Sequence, residues 1–189
     1  MTVPLIAVDS HAHVMRRDAP LAPDRHSAPK RDVTVEEYLG VLDENGISHG
    51  VLTAPSFYGA DNSLLLQALD AHPERLRGTA IVEPDVEDPA LHAMAERGVV
   101  GIRLNWVRRD ALPDAAGEGY RSLFRRIGRL HWHIEIYLEG PKLASVLPKL
   151  RESGVRVVVD HFGSPDRSRG LRATASGRSS TGCAVVTRS

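Results

Sequence analysis

His11 and His13 stand directly after the chain's first apolar run, Leu5-Ile6-Ala7-Val8, with Asp9 close beside them. Side chains on a strand alternate, so a spacing of two aims both rings to the same side. The bland alternative is a pair of polar residues in a surface loop. The apolar strand before them and the neighbouring carboxylate favour a pair placed for chemistry. His161 repeats the pattern at the end of another apolar run, Val155-Arg156-Val157-Val158-Val159-Asp160. In a parallel sheet such strand ends converge on one cavity. Alternation would turn Asp160 away from His161, toward a neighbour that it orients.

Arg103 lies inside a further apolar stretch, Gly101-Ile102-Arg103-Leu104-Asn105. A buried guanidinium is costly unless an anion meets it, either a substrate or an internal acid such as Glu83. Arg108 and Arg109 follow on the adjoining loop. Two or three arginines near one set of strand ends suit a substrate carrying carboxylates, gripped by bidentate hydrogen bonds. The alternative leaves Arg108 and Arg109 solvated. In His133-Ile134-Glu135-Ile136-Tyr137-Leu138, the apolar residues share one face, and His133, Glu135 and Tyr137 share the other. Tyr137, at the strand's end, can donate to an ester or carboxylate oxygen, or pack with its hydroxyl in water. Ser56 has no adjacent His and no Gly-x-Ser-x-Gly elbow, which makes it a poor nucleophile. Its expected role is a hydrogen bond to substrate, unless it merely belongs to a turn that Asp61 and Asn62 cap.

These residues need a scaffold that brings strand ends together, and the pattern supplies one. After Leu5-Ile6-Ala7-Val8, Thr34 precedes Glu36, Glu37 and the periodic Tyr38, Leu39, Val41 and Leu42, an N-capped amphipathic helix closed by Gly46. Strand Gly50-Val51-Leu52-Thr53 leads to a helix from Ser63 to Leu69. The cycle continues with a strand at 79–82 and a helix at 89–97, then a strand at 99–104 and a helix at 120–130. A strand at 133–138 and a helix at 141–153 follow, and a last strand spans 155–160. Strands alternating with helices argue for βα units and a parallel sheet, and the Val157-Val158-Val159 run suits a strand covered on both faces. A doubly wound open sheet would carry a Gly-rich phosphate loop after its first strand, where this chain has Asp9-Ser10-His11-Ala12-His13. The expected fold is therefore α/β, a (β/α)8 TIM-barrel type.

Twenty-four Lys and Arg balance 24 Asp and Glu, so net charge favours neither nucleic acid nor an anionic membrane over a small-molecule partner. No apolar run approaches the roughly 18 residues that span a bilayer, and Asp9 arrives before a signal-peptide core could form. The single cysteine, Cys183, offers no internal disulfide, and a cytoplasmic location is the default expectation. The sequence does not specify an oligomeric state.

Asp9-Ser10-His11-Ala12-His13 resembles the first-strand motif of the amidohydrolase superfamily. The stretch from Ala22-Pro23-Asp24-Arg25-His26 to Glu36-Glu37-Tyr38 and the run Pro55-Ser56-Phe57-Tyr58-Gly59-Ala60-Asp61-Asn62 resemble its 2-pyrone-4,6-dicarboxylate lactonase branch. So do Gly101-Ile102-Arg103-Leu104-Asn105, Glu135-Ile136-Tyr137-Leu138-Glu139-Gly140 and Val159-Asp160-His161-Phe162-Gly163. The likeness runs over residues 1 to about 166 and implies hydrolysis of a carboxylated lactone. It implies that His11, His13 and His161 surround and polarise the scissile carbonyl, while Ser56, Arg103, Arg109 and Tyr137 bind the substrate and its carboxylates. Fixed donors aimed at a developing oxyanion suit such a reaction. A water activated by an aspartate at the end of an eighth strand would attack.

Metal-dependent members of the superfamily add a histidine at the mouth of the fifth strand, where this chain has Tyr137. His133 sits at that strand's other end, about 13 Å away at roughly 3.3 Å per residue. The resemblance thus implies a metal-free site and no cofactor. The runners-up are a metal-dependent amidohydrolase or decarboxylase of the same superfamily, in which three histidines hold zinc, and an inactive fragment.

A complete barrel takes about 250 residues, and only about six of its eight βα units can be read. Residues 1–166 are expected to form the partial barrel. Residues 167–189 contain five Arg, no Asp or Glu and no sustained period, and are expected to be a disordered, out-of-frame tail. Such a barrel lacks the eighth-strand aspartate and exposes two strand edges liable to aggregate, so poor stability and little turnover are expected.

Overall fold

Thr34 starts the first helix as its sequence predicts: its side chain accepts a hydrogen bond from the Glu37 N–H at 3.2 Å. The computed structural model describes residues 4–165 and 184–186. Its elements are β1 Val8–Ala12, α1 Val35–Glu44, β2 His49–Thr53, α2 Ser63–Ala71, β3 Leu76–Ala80, α3 Asp88–Glu96, β4 Val99–Asn105, α4 Glu118–Arg129, β5 His133–Tyr137, α5 Gly140–Glu152, β6 Arg156–Val159 and β7 Ala184–Val186. Three helices bury one stripe each: Tyr38, Leu39 and Leu42 on α1, Leu123, Phe124 and Ile127 on α4, and Leu143, Val146 and Leu150 on α5. These i, i+3, i+4 and i+7 spacings mark helices that cover a sheet face. Each fully buried Leu or Phe contributes about 1.5–3 kcal/mol.

The chain divides within β4 into two units, Met1–Glu83 with Pro89–Val100 and Pro84–Asp88 with Gly101–Ser189. In the first, β1 pairs with β2 and β2 with β3, both parallel. Leu42, Leu52, Leu69, Leu76 and Leu91 form its buried centre. Gly50 of β2 leaves room for the Tyr38 ring of α1, which a Cβ there would strike. In the second unit, β4 pairs with β5 and β5 with β6, again parallel. Its centre holds Ile102, Phe124, Ile127, Ile134, Ile136 and Leu138. β7 runs antiparallel along β6, with Val157 opposite Val186 and Val159 opposite Ala184.

Two strands lie elsewhere than their apolar runs suggest. β1 begins where the run 5–8 ends, and Leu5 and Ile6 are 71% and 76% exposed. Pairing with β2 sets this register, Val8 to His49 and Asp9 to Gly50, and a bulge follows between Asp9 and Ala12. β3 begins three residues before the run 79–82 and stops at Ala80. There the Asn62 side chain takes both backbone groups of the next residue: Nδ2 donates to the Ile81 carbonyl at 2.8 Å, and Oδ1 accepts from its N–H at 3.0 Å. A side-chain amide thus stands in for the next rung of the ladder. Of the two strand edges expected to be open, that of β6 carries β7. The rest of the 167–189 tail lies outside the described residues. Among the described residues no helix is long and apolar enough to cross a membrane.

Candidate active site

In the first unit, His11 is the penultimate residue of β1 and His13 follows the strand, their rings edge to face with centroids 4.8 Å apart. Each contacts β2 through Thr53, which is fully buried. His13 Nδ1 lies 2.7 Å from the Thr53 carbonyl oxygen, which can only accept, so His13 carries its proton on Nδ1. With that ring neutral, its Nε2 accepts from His11 Nε2–H at 3.3 Å. That leaves His11 Nδ1 as an acceptor for the Thr53 hydroxyl at 3.4 Å. One consistent set of tautomers closes this ring of contacts.

Further groups hold this pair. Asp9 accepts the His11 N–H at 3.4 Å on one carboxylate oxygen and the buried Tyr38 hydroxyl at 3.0 Å on the other. Burial first, and then the Asp9 charge, push the Tyr38 hydroxyl's pKa well above the ordinary tyrosine range. Past His13 the chain is clamped by Tyr58, whose hydroxyl accepts from the Arg16 N–H at 2.8 Å and donates to the Arg16 carbonyl at 2.6 Å. Tyr58 belongs to a single 3-10 turn, Ser56–Tyr58, just after β2, and Ser56 sits half-buried at its start. Ser56 is therefore at the C-terminal end of its strand, as His11 is of its own.

In the second unit, Arg103, Glu135 and Asp160 form a buried ion cluster, each side chain 4% exposed or less. Arg103 Nε lies 3.1 Å from Glu135 Oε1, its neighbour in register on β5, and Nη2 lies 2.5 Å from Asp160 Oδ2. The internal acids beside the guanidinium are thus Glu135 and Asp160. The Tyr137 ring sits 5.6 Å below the guanidinium and 4.3 Å from the His161 ring, centroid to centroid. Arg108 and Arg109 are exposed on the loop after β4. That loop is tied to the start of α5: Glu139 accepts the Arg108 N–H at 2.8 Å, and Lys142 Nζ donates to the Arg109 carbonyl at 2.9 Å. His133 lies at the opposite end of β5, in register with Gly101, where a Cβ would run into its ring.

His161 does not continue β6. It opens a left-handed turn in which His161, Phe162, Gly163 and Ser164 have φ of 49°, 54°, 73° and 40°. Left-handed backbone costs about 1–2 kcal/mol at each residue that carries a Cβ. Strand alternation therefore does not apply here, and Asp160 is not turned away. Its Oδ1 accepts the His161 N–H at 2.8 Å, and its Oδ2 is 3.5 Å from His161 Nε2.

The match to known proteins starts where this geometry starts, at β1. The amidohydrolase family profile covers residues 8–180, from the first residue of β1 to beyond the His161 turn. The chain belongs to the amidohydrolase family. Among its amidohydrolase relatives, a 2-pyrone-4,6-dicarboxylate hydrolase of Comamonas testosteroni is 32% identical over 178 residues, 89% of this chain and 55% of that protein. A 4-sulfomuconolactone hydrolase of Hydrogenophaga intermedia is 28% identical over 169 residues, 86% of this chain and 54% of that protein. The crystal structure of a probable 2-pyrone-4,6-dicarboxylic acid hydrolase from Acinetobacter baumannii, with citric acid bound, superposes with a TM-score of 0.85 at 32% identity. It covers 89% of this chain and 63% of that one. The chain thus spans little more than half the length of these curated relatives. Its fold is of the α/β, (β/α)8 TIM-barrel type in incomplete form, six parallel strands and five helices of it being described.

His11, His13, Ser56, Tyr137 and His161 stand out in the sequence because each lies at or after the end of an apolar run, and Arg103 because it is a charge inside one. The contacts of Thr53, Tyr38 and Glu135, and the hold of Asp160 on the His161 backbone, do not. Tyr38 reads as one more core residue of α1, and only the glycine opposite it in β2 hints that its hydroxyl reaches past the sheet.

Proposed function

We propose that this amidohydrolase acts on a lactone bearing carboxylates, of the 2-pyrone-4,6-dicarboxylate class, and opens its ring by hydrolysis without a metal. The observation that carries the reading is the His11–His13–Thr53 ring of contacts, which holds two imidazoles side by side at the end of β1. In this reading His11, His13 and His161 polarise the scissile carbonyl and stabilise the oxyanion that forms on it. Water adds to the carbonyl carbon, the ring C–O bond breaks, and the leaving oxygen takes a proton as the new carboxylic acid forms. Ser56, Arg109 and Tyr137 bind the substrate and its carboxylates. Arg103 joins them with its guanidinium already oriented by Glu135 and Asp160. The general base implied by the family likeness is an aspartate of an eighth strand, which would take a proton from the attacking water. A cytoplasmic location and a small-molecule partner fit this reading.

The second reading, a metal-dependent amidohydrolase or decarboxylase, is favoured by one distance: two Nε2 atoms 3.3 Å apart also suit two ligands of one cation. Against it stands Tyr137 at the C-terminal end of β5, with His133 at the other end of that strand. One preparation tests both. Metal content is measured on the purified chain, and calorimetry then follows binding of 2-pyrone-4,6-dicarboxylate while absorbance follows ring opening. Binding by metal-free protein is expected. Stoichiometric zinc required for that binding would give the site to the second reading, and absence of binding in either form would remove the lactone assignment.

A further inference from the structure

The left-handed turn that carries His161 is held from two sides by residues that the reaction itself does not use. Just after β6, Asp160 Oδ1 accepts the His161 N–H at 2.8 Å, while Arg103 holds the same carboxylate by Oδ2 at 2.5 Å. From α5, the Gly140 N–H donates to the Ser164 carbonyl at 3.0 Å. A Cβ on Gly140 would stand 2.9 Å from the Gly163 oxygen, 3.2 Å from the Ser164 oxygen and 3.4 Å from Pro165 Cα. All three are backbone atoms, which cannot swing aside as a flexible side chain would. The turn is closed internally by the Ser164 N–H donating to the His161 carbonyl at 2.8 Å. Three of its four residues carry a Cβ in a backbone region that L-residues avoid, a conformation that persists only where the surroundings over-determine it.

We propose that Gly140 and Asp160 are positioning residues for His161, bracing residues 161–164 in the left-handed turn that sets where its imidazole points. Gly140 allows the turn to lie against the start of α5. Asp160 ties the turn to the buried cluster, so Arg103 and His161 are referenced to one carboxylate. The proposal rests on the lactonase reading only for what the imidazole does, and its test needs no substrate.

Backbone amide exchange and the imidazole resonances of His161 are followed by NMR in the unliganded chain, in Gly140→Ala, Asp160→Asn and Asp160→Ala. In Gly140→Ala the His161 and Ser164 amides should exchange at least ~10-fold faster and the His161 ring resonances should move, while β4 and β5 amides keep their protection. Asp160→Asn retains an acceptor oxygen and should hold the His161 amide within about threefold of wild type, whereas Asp160→Ala should release it. If Asp160→Ala does not fold, the other two variants carry the test. The proposal is overturned if Gly140→Ala leaves the His161 signals unchanged, or if protection falls equally across β4, β5 and the turn. A chain that shows the brace yet fails to bind the pyrone dicarboxylate would leave the positioning roles standing and sink only the lactonase reading.

Discussion

Tyr38 shows how a single core residue can reach a candidate catalytic group. Its ring belongs to the buried stripe of α1, and its hydroxyl ends on Asp9, which in turn holds the His11 backbone. Tyr38→Phe removes one charge-assisted hydrogen bond and leaves the packing, so a loss of about 1–2 kcal/mol at neutral pH is expected by urea unfolding. The pH dependence has a definite sign. Folding raises this hydroxyl's pKa, so its contribution is whole below the ordinary tyrosine pKa and fades as pH climbs through the folded value. Wild type should therefore lose stability more steeply than Tyr38→Phe above about pH 10. Parallel alkaline curves for the two proteins would show that the hydroxyl is not held as described.

At the scale of elements, side chains decide where strands start and stop. Asn62 precedes α2, yet its amide ends β3 by taking both backbone groups of Ile81. Asn62→Ala leaves a buried N–H and carbonyl unmet and should cost about 2–3 kcal/mol, with faster amide exchange at Ile81 ahead of the rest of β3. A change below about 0.5 kcal/mol would mean that water replaces the amide without loss. The same logic explains the shifted β1. Its apolar run was legible, but the run is not the strand, because the backbone of β2 and the Asp9 bulge choose which residues pair. The helices were easier: their buried stripes follow a period fixed by local geometry, and Thr34 caps α1 where its type predicts.

For the molecule as a whole, the consequential feature is apolar surface left in water. Leu5 and Ile6 are largely exposed, Val8 is 49% exposed, and β1, which they lead into, pairs with β2 alone among the described strands. Exposed strand edges beside apolar side chains are sites of self-association. Leu5→Lys combined with Ile6→Lys should lower the concentration-dependent light scattering of the chain while shifting its stability by no more than about 0.5 kcal/mol. Unchanged scattering would place the association elsewhere. The edge of β6 is a different case, since β7 runs antiparallel along it.

What the residue order determined by itself is the alternation of strands and helices, the capped amphipathic α1, and which polar residues fall at strand ends. All of these depend on spacing along the chain, which a sequence states outright. What only the tertiary structure decided is who meets whom. It gave Arg103 two internal carboxylates, closed the His11–His13 pair through Thr53, and replaced strand alternation by a left-handed turn at His161. The physical reason is the same in each case. A buried charge or an unpaired backbone group is settled by whichever partner lies nearest in space, and that partner is 32 to 57 positions away for Arg103 and about 40 for His13.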